Sequence, residues 1–177
     1  MSKTLSYAGI GSRETPASVL KQMRQIAVLL AEQGVVLRSG HAGGADLAFE
    51  QGCNAVHGPS EIYLPWAGFN GECRNQIIAQ ELPTYDTALN IAAQMHPNWQ
   101  ACSRGAKSLH TRNVYQVLGA NLDDPVLMVI CWTKNAASGG GTGQAIRIAK
   151  HFQIPVFDLA DPTALDSLIT FGNSLSL

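Results

Sequence analysis

Three glycine-rich segments carry the residues that could do chemistry, and each follows an apolar run. They are residues 9–14 (Gly-Ile-Gly-Ser-Arg-Glu), residues 39–46, and residues 138–144, where four of the five positions 139–143 are glycine. Glycine lets backbone N–H groups approach a phosphate closely, and the start of a helix adds the positive end of its dipole. The three segments therefore predict an anion-binding site built mainly from backbone amides.

The first segment offers Gly11, Ser12 and Arg13 as candidate ligand contacts. The serine hydroxyl and the arginine guanidinium would add donors to the backbone amides. A plain turn between a strand and a helix explains the same residues equally well.

The second segment places three glycines directly before a predicted helix, as in an anion-binding nest. Asp46 falls in the first helical turn, and Glu50 follows on the same face. Asp46 is expected either to bind a ribose hydroxyl or base edge, or to stabilise the helix start. The candidate ligand contacts in this segment are Ser39, Gly40, His41, Gly43, Gly44 and Asp46.

The third segment has more glycine than a reversal of the chain requires, so close approach of a ligand to the backbone is the favoured interpretation. Arg112 and Asn113 are further candidates, because an arginine could hold a phosphate through two N–H groups, although a surface arginine is an equal alternative. The contacts expected from the third segment are Gly139, Gly140, Gly141, Thr142 and Gln144. Weak catalytic candidates in the chain are Glu14, Asp46 and Glu50.

Alternating strands and helices are needed to bring these segments together. Apolar runs predict strands at 5–10, 35–37, 61–64, 126–132 and 154–157, with helices from about 15–17 to Gly34, over 45–51 ending at Gly52, over 144–151, and after Pro162. Residues 66–118 show helical patterns near 72–80, 84–95 and 109–118 without a clear strand. The prediction is one α/β domain over 1–177, Rossmann-like and doubly wound, with a mainly parallel sheet and a helical insertion at about 66–118 that forms a wall or lid of the site.

Composition and missing motifs exclude several classes. Twelve Lys and Arg residues balance 13 Asp and Glu, for a net charge of −1, which disfavours nucleic acid as the main partner. Four scattered cysteines, no signal peptide and no apolar run of spanning length predict a cytoplasmic protein with reduced thiols and no membrane partner. The sequence has no P-loop, no HExxH or other metal-ligand spacing and no GxSxG, so neither a metal nor a cofactor is expected. His96 has the pattern of an ordinary surface residue.

Six segments in order, YAGIGSRETP, VVLRSGHAGGADLAFEQG, TRNVYQVLG, VLMVICWT, GGGTGQAIRIA and IPVF, resemble the SLOG superfamily of SMF/DprA-like and LOG/lysine-decarboxylase-like Rossmann-type domains. The resemblance implies a nucleotide-related ligand held by residues 39–46 and 139–144, together with Gly11, Ser12 and Arg13. It also implies a homo-oligomer, to which the apolar run 126–132 and the insertion would contribute.

The branches of this superfamily imply different functions. The DprA-like branch binds single-stranded DNA, and its Arg-Asn motif would match Arg112 and Asn113, but the neutral charge and the absence of flanking domains disfavour it. The LOG-like branch hydrolyses the N-glycosidic bond of nucleoside monophosphates with a glutamate after its glycine loop, where this chain has Gln144, which cannot ionise. The leading expectation is therefore a protein that senses or sequesters a nucleotide or nucleotide-derived molecule. The alternatives are a nucleoside-monophosphate N-glycosidase and, third, a single-stranded DNA-binding protein.

Overall fold

The computed structural model describes residues 4–134 and 139–177 and shows a parallel sheet with helices on both faces. The strands are β1 (Ser6–Gly9), β2 (Val36–Ser39), β3 (Ser60–Leu64), β4 (Gln76–Ile78), β5 (Val129–Cys131) and β6 (Val156–Asp158). Their order in the sheet is β4-β3-β2-β1-β5-β6, and each neighbouring pair is parallel. Strands β2 and β5 lie on opposite sides of β1, so the strand order reverses at β1. Open α/β sheets bind ligands in the crevice at such a switch point, which here lies over the carboxyl ends of β1 and β5.

The helices cover the two faces of this sheet. They are α1 (Ala17–Glu32), α2 (Ala45–Ala55), α3 (Tyr85–Met95), α4 (Arg104–Leu118), α5 (Gly140–His151) and α6 (Ala164–Ser174), with short 3-10 turns at Ala79–Glu81 and Trp99–Ala101. One core cluster joins Tyr7 of β1 to α1, α2 and α6, and the other joins Ala8 to α3, α4 and α5. Consecutive residues of β1 thus face opposite layers, as a doubly wound sheet requires. The predicted fold class is confirmed.

The predicted helix near 72–80 is wrong, because this stretch forms the edge strand β4 followed by a 3-10 turn. The amide of Ile62 donates to the carbonyl of Asn75 at 3.1 Å, and Tyr63 pairs in register with Ile77. Asn70 and Asn75 have positive φ angles of 53°, which interrupt a helix. The segment 66–118 is therefore not purely helical, and its last part, α4, packs directly on the sheet through the fully buried Val114 and Tyr115.

The apolar run 126–132 lies mostly in the interior, and only Leu127 and Trp132 are half-buried. Only Val129–Cys131 form the strand, which lies between β1 and β6 with all three residues fully buried. The central strand itself has no surface to offer to an oligomer interface, and a contribution from the half-buried Leu127 and Trp132 stays a prediction. An oligomer itself stays a prediction.

Two helix boundaries also differ from the sequence-based expectation. Helix α2 continues through Gly52 to Ala55, and this glycine gives α1 room to pack, since a Cβ there would overlap the carbonyl of Arg24. Helix α4 begins at Arg104 rather than near 109, since the hydroxyl of Ser103 accepts a hydrogen bond from the amide of Ala106 at 3.2 Å.

All four cysteines are free thiols, and Cys53 and Cys131 are buried. Within residues 4–134 and 139–177, no helix combines the length and the apolar character needed to cross a bilayer.

Candidate functional site

A cleft of about 460 Å³ opens at the carboxyl edge of the sheet, over β1, β2 and β5. Its walls are the β1–α1 loop, the first turn of α2, one face of α4, the residues after β5 and the first turn of α5. It brings together eleven of the residues expected from the sequence: Gly11, Ser12, Arg13, Glu14, Asp46, Arg112, Asn113, Gly139, Gly140, Gly141 and Thr142. Ser138 lies outside the described residues.

The β1–α1 loop is held rigidly beneath its exposed side chains. The amide of Ser12 donates to the carbonyl of Trp132 at 3.2 Å, and the carbonyl of Ser12 accepts from Thr15 and from the amide of Ala45. Gly44, with φ +81°, packs so closely that a Cβ would lie 2.6 Å from the carbonyl oxygen of Ser12. The exposed Arg13 side chain therefore extends from a backbone that has little freedom to move.

The first turn of α5 lines the cleft. Gly139 is the N-cap and has no side chain with which to cap the helix. By helix geometry, the N–H groups of Gly141 and Thr142 have no acceptor within the helix, whereas Gly140, with φ +66°, departs from helical backbone. The Asn113 side chain donates to the carbonyl of Gly141 at 2.9 Å and so fixes this turn against α4. The positive end of the helix dipole is thus available to an anion.

Arg112 lies beneath the cleft and is 5% exposed. One guanidinium nitrogen, Nη1, donates to the carbonyl of Gly40 and, at 3.2 Å, to that of Tyr63, while Nε donates to Asn113 at 3.1 Å. A Cβ at Gly40 would overlap Nη1, which is why glycine is needed there. Arg112 is therefore not a surface arginine: it joins the ends of β2 and β3 and forms part of the cleft floor.

Asp46 is a buried carboxyl group at the same floor. Burial raises its pKa from 3.8 to about 6, opposed by the positive charge of Arg112 and reinforced by Glu50. The amide of Ala42 donates to its carboxylate at 3.3 Å, so Asp46 pairs with the loop before α2 rather than with the amides of its own helix. Near neutral pH this group can both donate and accept a proton.

The remaining candidates of the second segment do not line the cleft. The hydroxyl of Ser39 donates to the carbonyl of Gly9 at 2.6 Å. His41 is hydrogen-bonded through Nδ1 to Glu50 at 2.8 Å, and burial raises the pKa of Glu50 while His41 opposes the rise. Gly40, Gly43 and Gly44 also lie outside the lining, and Gly40 and Gly44 provide space for Arg112 and for the β1–α1 loop.

Gln144 is fully buried and does not reach the cleft. Its amide donates to the carbonyl of Ala92 in α3 at 2.8 Å, and its oxygen accepts from Arg147 at 2.8 Å. In this fold the residue ties α5 to α3.

Several lining residues were not found from the sequence, most clearly Thr133 and Lys134. Lys134 forms an exposed ion pair with Glu14 at 3.0 Å, and Asp158 accepts hydrogen bonds from the amide and hydroxyl of Thr133. Both follow β5 directly, so their place at a strand's carboxyl end was the available signal. Ile10, Ala42, Leu109 and Gln116 complete the lining.

Solved structures share this fold at low sequence identity. DNA processing protein A from Helicobacter pylori, described for its single-stranded DNA binding mode, superposes with a TM-score of 0.54 at 20% identity, covering 87% of this chain and 64% of that chain. The Moco carrier protein from Chlamydomonas rheinhardtii gives a TM-score of 0.52 at 13% identity, covering 88% and 74%. This chain therefore spans less than two thirds of the Helicobacter protein.

The molybdenum cofactor binding protein from Rippkaea orientalis is also similar, with a TM-score of 0.48, 17% identity and coverage of 95% and 96%. No protein-family model matches the chain, and no curated protein matches it. At these identities the comparisons establish the fold, and the DprA-like resemblance expected from the sequence is confirmed at that level.

Proposed function

We propose that this protein senses or sequesters a phosphorylated nucleotide or nucleotide-derived small molecule in the cleft over β1 and β5. A shared fold does not fix function, so the proposal depends on the site. The observation that carries it is the convergence of the α5 N-terminus with Arg13 and Lys134 on a cleft of about 460 Å³, a size suited to a small ligand.

The phosphate is assigned to the start of α5. Amides of Gly140, Gly141 and Thr142 supply neutral donors, and Arg13 and Lys134 supply charge from the neighbouring loops. Lys134 is 68% exposed in its pair with Glu14, and such exposed pairs contribute at most about 1 kcal/mol. Breaking the ion pair with Glu14 so that Lys134 can bind a phosphate therefore costs little free energy.

The floor of the cleft suits the uncharged part of the ligand. Asp46, Asn113 and Gln116 place polar groups next to the apolar side chains of Ile10 and Leu109. This mixture supports a ligand with a sugar or a heterocycle attached to the phosphate, because buried polar groups give such a ligand its orientation.

Binding is tested with Gly139→Val and a panel of nucleoside mono- and diphosphates. Gly139 has φ −85° and ψ 166°, which valine adopts readily, and a Cβ there meets no described atom within 4 Å. The variant should fold normally and bind the preferred nucleotide at least about tenfold more weakly, since its side chain takes the place of the phosphate. Isothermal titration calorimetry measures the difference.

Gly105→Ala is the matched control, because Gly105 is also surrounded by open space but lies outside the cleft lining. Its affinity should equal that of the parent. If Gly139→Val binds the nucleotide with the affinity of the parent protein, the phosphate does not bind at the start of α5. The proposal fails if the panel does not bind and native mass spectrometry of freshly purified protein shows no phosphorylated metabolite.

A second candidate function, hydrolysis of a nucleoside-monophosphate N-glycosidic bond, is favoured by Asp46. A carboxyl group with a pKa of about 6 in a ligand cleft suits a general acid that protonates a leaving base while water attacks the anomeric carbon. Incubation with nucleoside monophosphates should then release free base, with at least about a 100-fold loss in Asp46→Asn. Absence of release across the panel would exclude this alternative.

A further inference from the structure

Two histidines and a cysteine converge where the connection between α3 and α4 folds back on α4. His96 ends α3, Cys102 follows the turn Trp99–Ala101, and His110 lies on α4. One ligand atom from each lies within 4.8 Å of the other two. The Cys102 sulfur is 3.7 Å from Nε2 and 3.8 Å from Nδ1 of His96, close to the separation of about 3.6 Å between sulfur and nitrogen ligands of tetrahedral zinc.

A second observation points to a missing ligand on His110. This residue is 8% exposed, and within the described part of the chain its Nδ1 has no hydrogen-bond partner. A buried polar atom without a partner carries an uncompensated desolvation cost. An ion coordinated through Nδ1 would remove that cost.

We propose that His96, Cys102 and His110 bind a Zn²⁺ ion, separately from the ligand cleft. A set of two imidazoles and one thiolate suits zinc, whereas Mg²⁺ and Ca²⁺ require oxygen ligands. His96 and Cys102 are partly exposed, so a water molecule completes the tetrahedron.

Binding requires two local changes. The Cys102 thiol loses its proton to solvent as the zinc–sulfur bond forms. The amide of Asn98, which donates to Nδ1 of His96 at 3.1 Å, must give up that bond whichever ring nitrogen coordinates the ion. The Trp99 ring lies beside both histidines, with centroid separations of 6.1 and 6.4 Å, and shields the site.

The sequence did not reveal this cluster because the spacing of five and seven intervening residues matches no common zinc motif. A second group, His41, Glu50 and Cys73, is also compact. It is the weaker candidate, because it offers only one imidazole and that ring is already hydrogen-bonded through Nδ1 to Oε2 of Glu50 at 2.8 Å, although Oε1 of Glu50 has no partner among the described residues. Its cysteine nevertheless provides a matched control.

The test uses the full chain, stripped with a chelator and titrated with Co²⁺ and then Zn²⁺. One equivalent of Co²⁺ should produce a thiolate-to-cobalt charge-transfer band and the intense visible bands of a tetrahedral site, and Zn²⁺ should displace it. Loss of an outer-shell partner alone weakens metal binding about 10–100-fold, so Cys102→Ser should abolish the band and weaken Zn²⁺ binding more than about 100-fold. Zn²⁺ should also raise the Tm of the parent protein but not of this variant.

Cys73→Ser should retain both the cobalt spectrum and the affinity for zinc, and so should Gly139→Val, whose change lies in the ligand cleft. His96→Asn provides a second loss-of-ligand variant at a partly exposed position, and circular dichroism verifies folding of each protein. The proposal is overturned if the parent lacks the charge-transfer band, if Cys102→Ser keeps it, or if Cys73→Ser loses it.

Discussion

Asp46 is a buried carboxyl group that lines the cleft, and its ionisation lowers the stability of the folded protein. Its environment raises its pKa from 3.8 to about 6, mainly through burial. Between these values the folded state holds a proton that the unfolded state has released, so stability falls as pH rises through the interval. The positive charge of Arg112 lowers the pKa of Asp46 and so reduces the loss of stability, but the effect of burial is larger.

Replacing Asp46 with asparagine removes the ionisation and keeps an oxygen acceptor for the amide of Ala42. From pH 4 to pH 7, the free energy of unfolding of Asp46→Asn should rise relative to the parent by about 2 kcal/mol, most of the roughly 3 kcal/mol that corresponds to the full shift from 3.8 to about 6. Urea unfolding at several pH values measures it. The exposed Asp123→Asn is the control, and a pH-independent difference for Asp46→Asn would contradict the cause assigned here.

The sequence predicts most residues of the cleft but not which of them form hydrogen bonds within the protein itself. The sequence predicts Arg112 and Asn113 as ligand contacts, yet their side chains donate hydrogen bonds to Gly40, Tyr63 and Gly141 of the protein itself. Whether an arginine is buried depends on which carbonyl groups the tertiary fold brings to it, and these are 72 and 49 residues away in the chain. No local pattern contains that information.

At the scale of elements, the contact between α1 and α2 depends on a single missing side chain. Gly52 lies inside α2, and a Cβ there would overlap the carbonyl of Arg24 and lie 2.8 Å from the Cβ of Ala27. Gly52→Ala should therefore lower the free energy of unfolding by about 1–3 kcal/mol, despite the better helix propensity of alanine.

The control for this prediction is Gly105→Ala in α4, where a Cβ meets no described atom within 4 Å. That change should stabilise the protein by up to about 1 kcal/mol. Urea denaturation of both variants gives the comparison. Similar stabilisation by both changes would mean that α1 and α2 are not closely packed at this point.

The sequence predicted five of the six described strands, because β1, β2, β3 and β5 are mostly buried, and a glycine or proline follows within three residues of the predicted runs of the first three. It missed β4, since Gln76–Ile78 is a three-residue edge strand whose residues are exposed or half-buried. It is held by pairing with β3 and by packing of Ile77 and Ile78 against the two core clusters, all of them tertiary interactions. The early start of α4 was missed for a local reason, the Ser103 cap, which the sequence does contain.

For the whole molecule, the balance of charge argues against nucleic acid. The chain has a net charge of −1, and in the cleft the cations Arg13, Arg112 and Lys134 are largely offset by the carboxyl groups of Glu14 and Asp46. Aromatic side chains that could stack on bases are engaged elsewhere: Trp66 packs on Phe69, and Trp99 on His96 and His110.

A gel shift with a single-stranded oligonucleotide should accordingly show no complex at physiological ionic strength. Any complex at low salt should disappear steeply as salt is added, because it would depend on a few phosphate contacts. A complex that survives physiological salt would support the DNA-binding alternative over a small-molecule ligand.

Helix α4 connects the proposed zinc site with the ligand cleft. Within four residues it supplies His110 to the proposed zinc site, Arg112 to the ends of two strands, and Asn113 to the first turn of α5. The proposed zinc ion and the proposed nucleotide both contact residues of α4, so any coupling between their binding equilibria is reciprocal. Whatever factor zinc imposes on the affinity for the nucleotide, the nucleotide must impose on the affinity for zinc.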